Sequence, residues 1–183
     1  GLSRLHIHDA VNDSLKRLNL DHIDLLYIHG VDAYTPLEET MRGLEEVVRA
    51  GKVRYLGVSN HAAWHIVKAN MYAESKGWNR FVGGQHFYSI ASRDIERELI
   101  PMFNDQKMAL MPWSPLAGGY LTGKFTGGTD DSAKNARRAE FDFPPIDKDK
   151  ADKIVEVMRG IADGKNVSVA QIALAWLLHQ GAV

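Results

Sequence analysis

The chain has no cysteine among its 183 residues. Disulfides and thiolate metal sites are therefore excluded, which fits a reducing compartment, and a cytoplasmic location is expected. Long apolar runs are missing as well. No stretch approaches the roughly 18 uninterrupted apolar residues of a transmembrane helix, and Gly1-Leu2-Ser3-Arg4 lacks the charged-then-apolar layout of a signal peptide. No membrane partner is expected. Nor is there an excess of charge of one sign: Lys and Arg number 22 against 23 Asp and Glu, a formal net charge of -1. That balance gives no general attraction to nucleic acid or to an anionic bilayer. What is present is 45% hydrophobic and 25% charged, an ordinary balance for a soluble chain long enough for one domain with a real core.

Four short apolar runs carry the organisation. They are Ile23–Ile28, Val53–Val58, Phe81–Gly84 and Met108–Pro112, and their starts lie 30, 28 and 27 residues apart. That interval is one strand, one crossover helix and two loops, so the chain repeats a βα unit. The expected fold class is α/β of the (β/α)₈ TIM-barrel type, here a partial barrel of about four parallel strands with flanking helices. Residues 1–183 are read as a single domain. Because parallel strands all point one way, residues just past their C-terminal ends collect on one face, where such folds keep their active sites.

Helix signals fill the gaps. Val11, Leu15 and Leu18 share a helical face behind Ser3, a candidate N-cap. In Thr35-Pro36-Leu37-Glu38 the Thr can cap, Pro takes the first helical position and Glu38 can close a capping box. Leu37, Met41, Leu44 and Val48 then form the buried stripe, and Gly51 ends the helix. Asn60 can cap a third helix running to about Gly77, and Ile95 to about Gln106 forms a fourth. The rhythm then breaks in a long irregular loop, about 118–146, rich in Gly, Asp and Pro and containing Arg137-Arg138. Loops this long in compact domains are usually lids or disordered. Two helices follow, roughly Lys148–Ala162 and Val169–His179, the latter opened by the capping box Ser168-Val169-Ala170-Gln171. A complete barrel has eight strands and typically about 250 residues. Half the wall is expected to lie in a longer polypeptide, or another copy to complete it, with self-association through the open edges.

Each apolar run ends on polar side chains: His29 after the first, Ser59 and Asn60 after the second, Gln85 after the third, Trp113 and Ser114 after the fourth. The runs Leu18–His29, Gly51–Asn60, Gln85 with Tyr88-Ser89, and Trp113-Ser114-Pro115-Leu116-Ala117-Gly118-Gly119 with Leu121-Thr122-Gly123-Lys124 resemble the aldo-keto reductase superfamily, in order and across essentially the whole chain. The resemblance implies a (β/α)₈ barrel and nicotinamide-dependent reduction of aldehydes and ketones, reversible toward alcohol oxidation. NADP is the expected cofactor, with NAD left open, and a small-molecule carbonyl compound the expected substrate.

Of the family's catalytic Asp, Tyr, Lys and His, only the His has a match, at His29. The resemblance places the other three before Gly1 and the 2'-phosphate-binding segment after the last helix. It further implies that Ser59, Asn60 and Gln85 hold the nicotinamide carboxamide, whose one acceptor and two donor hydrogens hydroxyl and amide groups complement. Trp113 would stack on the ring, Ser114, Pro115, Leu116 and Gly118 would line the phosphates, and Lys124 would contact them through its charge. Read singly, Asn60 is an N-cap, Gln85 a solvated strand end, Trp113 a core residue, His29 a satisfied histidine and Lys124 a surface lysine. Their joint occurrence at successive strand ends favours the functional reading.

Other motifs lead elsewhere. Gly118-x-x-x-x-Gly123-Lys124 matches most of a phosphate-binding loop, yet Phe125 stands where a Ser or Thr must ligate Mg²⁺. His61 and His65 have the spacing of zinc ligands, but Ala62 replaces the Glu base and no third ligand is evident. His6 and His8 read as surface residues, and no G-x-S-x-G elbow is present. The rival readings are a non-catalytic cofactor-binding regulatory subunit of the same fold and an inactive structural barrel fragment.

Overall fold

The computed structural model describes residues 1–125 and 142–181. Its elements are α1 (Arg4–Leu18), β1 (Ile23–Ile28), α2 (Leu37–Arg49), β2 (Val53–Ser59), α3 (Ala63–Ser75), β3 (Phe81–Phe87), α4 (Leu99–Gln106), β4 (Ala109–Trp113), α5 (Lys148–Lys165) and α6 (Val169–Leu178). The four strands lie in one sheet in the order β1-β2-β3-β4, all parallel and flanked by helices. The α/β reading and the partial barrel of four parallel strands therefore hold. In the register, Tyr27 faces Gly57 and Ser59 faces Gln85, with one irregularity in the β2–β3 ladder at Leu56/Gly57. The expected loop residues 126–141, including Arg137-Arg138, lie outside the described residues.

Contacts divide the chain into two compact units, Gly1–Gln85 with Glu98–Met111, and His86–Arg97 with Pro112–Val183. In the first, buried Ile7 and Val11 of α1, Met41, Leu44 and Val47 of α2, Ile66, Ala69 and Ala73 of α3 and Met102 and Phe103 of α4 supply the helical part of the core. Val53, Leu56, Val58, Phe81 and Leu110 supply the strand part. Asn70 is a polar residue inside this core. Its amide oxygen accepts from the Phe81 N–H at 3.0 Å and its amide nitrogen lies 3.3 Å from Met108 Sδ, which ties α3 to β3. A buried amide so paired avoids the cost of an unmet hydrogen bond. In the second unit, Ala117, Tyr120 and Leu121 pack with Ala151, Val155 and Met158 of α5 and Ala173 of α6. The Tyr120 hydroxyl donates to Asp152 at 2.6 Å.

The helix ends correct several expectations. Ser3 does cap α1, accepting from the His6 N–H, and Ser168 with Gln171 forms the full capping box of α6. Thr35 does not cap α2: the N-cap is Pro36 with no side-chain bond, and the Thr35 hydroxyl donates instead to Asp32 at 2.7 Å. Asn60 does not cap α3 either. The cap position is Ala62, and Asn60 is turned toward β1. Leu18 is 58% exposed, because the stripe that meets α2 runs through Ile7 and Val11, a turn earlier. Val47, not Val48, is the fully buried valine of α2.

Candidate active site

The first unit brings together the C-terminal ends of β1, β2 and β3. Ser59, the last residue of β2, is buried, and its hydroxyl donates to the Gln85 carbonyl at 2.7 Å. The Asn60 N–H reaches the same carbonyl at 3.4 Å. Asn60 has φ of 57°, in the left-handed region that asparagine tolerates better than most residues. That turn sends its side-chain amide back to donate to the His29 carbonyl at 2.9 Å. Three strands are thus tied near their C-terminal ends by two side chains, and His29, Ser59, Asn60 and Gln85 form one interlocked group, although β3 runs on to Phe87 rather than stopping at Gly84, so that Gln85 lies inside it. The Gln85 amide nitrogen rests 3.3 Å from Met111 Sδ, a weak acceptor that a stronger one displaces easily. The His29 ring is exposed and bonds to no other group among the described residues.

Asp32 fixes the loop that follows His29. Its carboxylate accepts from the Leu2, Tyr34 and Thr35 N–H groups and from the Thr35 hydroxyl. The Leu2 amide first, then the Thr35 hydroxyl, hold it far below the usual carboxylate range.

Two positions earlier on the same strand face lies a layer that the sequence reading missed. Tyr27 lies across Gly57 and comes up to Gly83. A Cβ on Gly57 would sit 2.6 Å from Tyr27 Cδ1, and one on Gly83 would sit 3.3 Å from the Tyr27 hydroxyl. Side chains two apart share a face, so this ring lies beneath His29, Ser59 and Gln85. Burial pushes its phenol upward in pKa. The signal was present: glycine inside a strand marks close approach of another group.

In the second unit Trp113 ends β4. Phe87 stacks on it with ring centroids 4.8 Å apart, and Phe143 lies nearly parallel, 7° between planes at 5.7 Å. After Trp113 the backbone turns through positive φ at Ser114, Ala117, Gly118 and Gly119. Within this loop the Ala117 N–H donates to the Ser114 carbonyl at 2.8 Å and the Gly119 N–H to the Leu116 carbonyl at 2.9 Å. Among the described residues the Leu116 and Gly118 amides of this loop remain without such a bond. Half-buried Pro115 has no N–H to offer. Lys124 lies against Gly119, where a Cβ would meet its Nζ at 3.6 Å, with Nζ 5.4 Å from the Phe125 ring centroid. Among the described residues the segment from Gly118 to Lys124 contains the short 3₁₀ turn Tyr120–Thr122.

Elsewhere His61 is buried against the Ser59 carbonyl, and His8 meets Glu46 at 3.0 Å. Among the described residues no three His, Asp or Glu converge as metal ligands. No helix there is long and apolar enough to cross a membrane.

The family model for the aldo/keto reductase family matches residues 1–183, the whole chain. The chain belongs to the aldo/keto reductase family. This reductase-family chain is 40% identical over 184 residues to versiconal hemiacetal acetate reductase of Aspergillus parasiticus, covering 97% of the chain and 52% of that protein. It is 39% identical over 178 residues to an aldo-keto reductase of Fusarium vanettenii, covering 97% of the chain and 48% of the relative. An aryl-alcohol dehydrogenase of Pestalotiopsis microspora is 36% identical over 180 residues, with 98% and 45% covered. The chain spans about half the length of the curated relatives it matches.

Proposed function

We propose that this chain is part of a nicotinamide-dependent oxidoreductase that reduces aldehydes and ketones to alcohols, with NADP as cofactor and NAD as the alternative. The observation that carries it is the interlocking of Ser59 of β2 and Asn60 just after it with Gln85 of β3 and, through the Asn60 amide, with the His29 carbonyl after β1. Together they offer a hydroxyl, two amide oxygens and two amide nitrogens, a donor and acceptor set that complements a carboxamide. When bound, the cofactor supplies a hydride to the carbonyl carbon.

The chain's own residues bind and orient. Ser59, Asn60 and Gln85 hold the carboxamide and so decide which face of the ring is presented. Trp113 supports a flat ring, a role for which its parallel contact with Phe143 is a fitting precedent. The Ser114, Pro115, Leu116 and Gly118 segment lines the phosphates through the Leu116 and Gly118 amides, which make no backbone bond among the described residues, and Lys124 adds positive charge. His29 donates a hydrogen bond from its ring to the substrate oxygen and aligns the carbonyl. The proton donor and the groups that tune it, a tyrosine, an aspartate and a lysine in the family, lie outside these 183 residues in this reading. General acid catalysis contributes roughly 10²–10⁴-fold, so the 183 residues alone have little activity. The protein works in the cytoplasm, as one partial-barrel domain, and self-associates where its sheet edges are open. The names of the relatives make aromatic aldehydes the first substrates to try.

The test is a titration with NADPH and NADH followed by cofactor fluorescence; binding of neither overturns the reading. In the full-length enzyme His29→Ala should lower kcat by about 10–100-fold while cofactor Kd changes by less than about twofold. Equal losses in both would remove His29 from the substrate side.

A further inference from the structure

His61, two residues beyond Ser59, is 5% exposed, and its Nδ1 lies 2.8 Å from the Ser59 carbonyl oxygen. A carbonyl oxygen has no hydrogen to give, so Nδ1 carries it and donates. The ring is held in place from its other side. His65 stacks on it with centroids 5.2 Å apart and 28° between planes, and Trp64 stacks on His65 at 5.0 Å and 27°. This ladder runs from an indole that is 67% exposed down to the buried imidazole. Burial, opposed in part by the Ser59 carbonyl and aided by His65, keeps His61 below the ordinary histidine pKa.

Enclosed between Ser59 and His61 is Asn60, with its φ of 57°. Asparagine enters that region more readily than most residues, so the turn needs a partner that selects it rather than one that forces it. The bond from the His61 ring to the Ser59 carbonyl closes a loop around Asn60. Without this turn the Asn60 amide could not reach the His29 carbonyl at 2.9 Å, nor its N–H the Gln85 carbonyl.

We propose that His61 is a positioning residue: by gripping the Ser59 carbonyl it holds Asn60 in the left-handed turn that aims Ser59, Asn60 and Gln85 at the nicotinamide carboxamide. This rests on the cofactor reading above, and His61 acts through its neighbours. The outer ladder of His65 and Trp64 serves to fix the plane of the imidazole.

The test compares three substitutions in the full protein, reading NADPH affinity by fluorescence and, separately, KM for the carbonyl substrate at saturating cofactor. His61→Phe keeps a flat ring against His65 but removes the donor, and NADPH Kd should rise about tenfold, the loss of one buried hydrogen bond. His61→Asn, whose amide nitrogen sits near the place of Nδ1, should stay within about twofold of wild type. His61→Gln, longer by one methylene, should behave like Phe. The carbonyl KM should not move in any of them. If the Phe variant fails to fold, the Asn-against-Gln comparison decides. Equal affinity in those two, or a Phe variant that binds like wild type, overturns the role of His61 and leaves the cofactor reading standing. A wild-type protein that binds neither NADPH nor NADH overturns both.

Discussion

A single methyl group added at Gly57 would fall inside the Tyr27 ring, 2.6 Å from Cδ1 and 2.9 Å from Cζ. Relief would require the ring to leave the strand face, since the obstacle is a stiff aromatic side chain on the neighbouring strand. Gly57→Ala should therefore destabilise the protein by about 1–3 kcal/mol, the usual range for overpacking. In a Tyr27→Ala background the same change should cost far less, because the clash is removed. Urea denaturation of the four proteins in the cycle checks this, and additive effects would show that the two residues do not meet. The same tyrosine lies below His29, Ser59 and Gln85. Its displacement should also weaken NADPH binding if those groups hold the carboxamide.

Among the elements, α1 and α2 are joined by one carboxylate. Glu46 of α2 receives Arg4 at 2.6 Å and His8 at 3.0 Å from α1, and Arg42 at 3.3 Å from its own helix. The Arg4 hydrogen bond first, then that of His8, hold it at about 2, below the ordinary glutamate value of 4.5. A lowered carboxylate pKa contributes stability above the unfolded value and loses it as pH falls through the folded one. The α1–α2 contact should thus weaken between about pH 4.5 and 2. Wild type should lose urea resistance from pH 5 to pH 3 more steeply than Glu46→Gln, and parallel slopes would count against this. Glu45, one residue earlier, faces the core. Burial raises its pKa, but the Asn79 amides and Arg49 outweigh that and leave it lowered. Its contribution runs in the same direction with pH.

For the whole molecule, Tyr55 is 58% exposed and Met111 49% exposed. Tyr55 lies two residues before Gly57 on the site-bearing face, where Met111 touches Gln85. Among the described strands β1 and β4 are the sheet edges. Unpaired edges beside apolar surface favour pairing with another chain. Sedimentation of the 183-residue chain should give a mass above monomer that falls with Tyr55→Lys. A monomer at all concentrations would refute this.

The strands and their parallel order were legible in the sequence, although β3 runs past Gly84 to Phe87 and takes Gln85 into its body. Apolar runs of strand length at βα spacing leave few other arrangements, and the order of four linked motifs carried the family. Helix starts were less legible. Thr35 and Asn60 both have the composition of N-caps, yet Thr35 gives its hydroxyl backwards to Asp32, three residues earlier, and Asn60 gives its amide to the His29 carbonyl, 31 residues earlier. Local pattern determined that a hydroxyl or amide stood at those positions. Only the folded chain decided which partner each would take, because the His29 carbonyl is 31 residues away in sequence and becomes a competitor for the Asn60 amide only once β1 and β2 lie side by side. The Tyr27 layer belongs to the same class, because it depends on which face each strand presents and is settled when the strands pair; the grip of His61 on Ser59 spans two residues and is settled by how that turn closes.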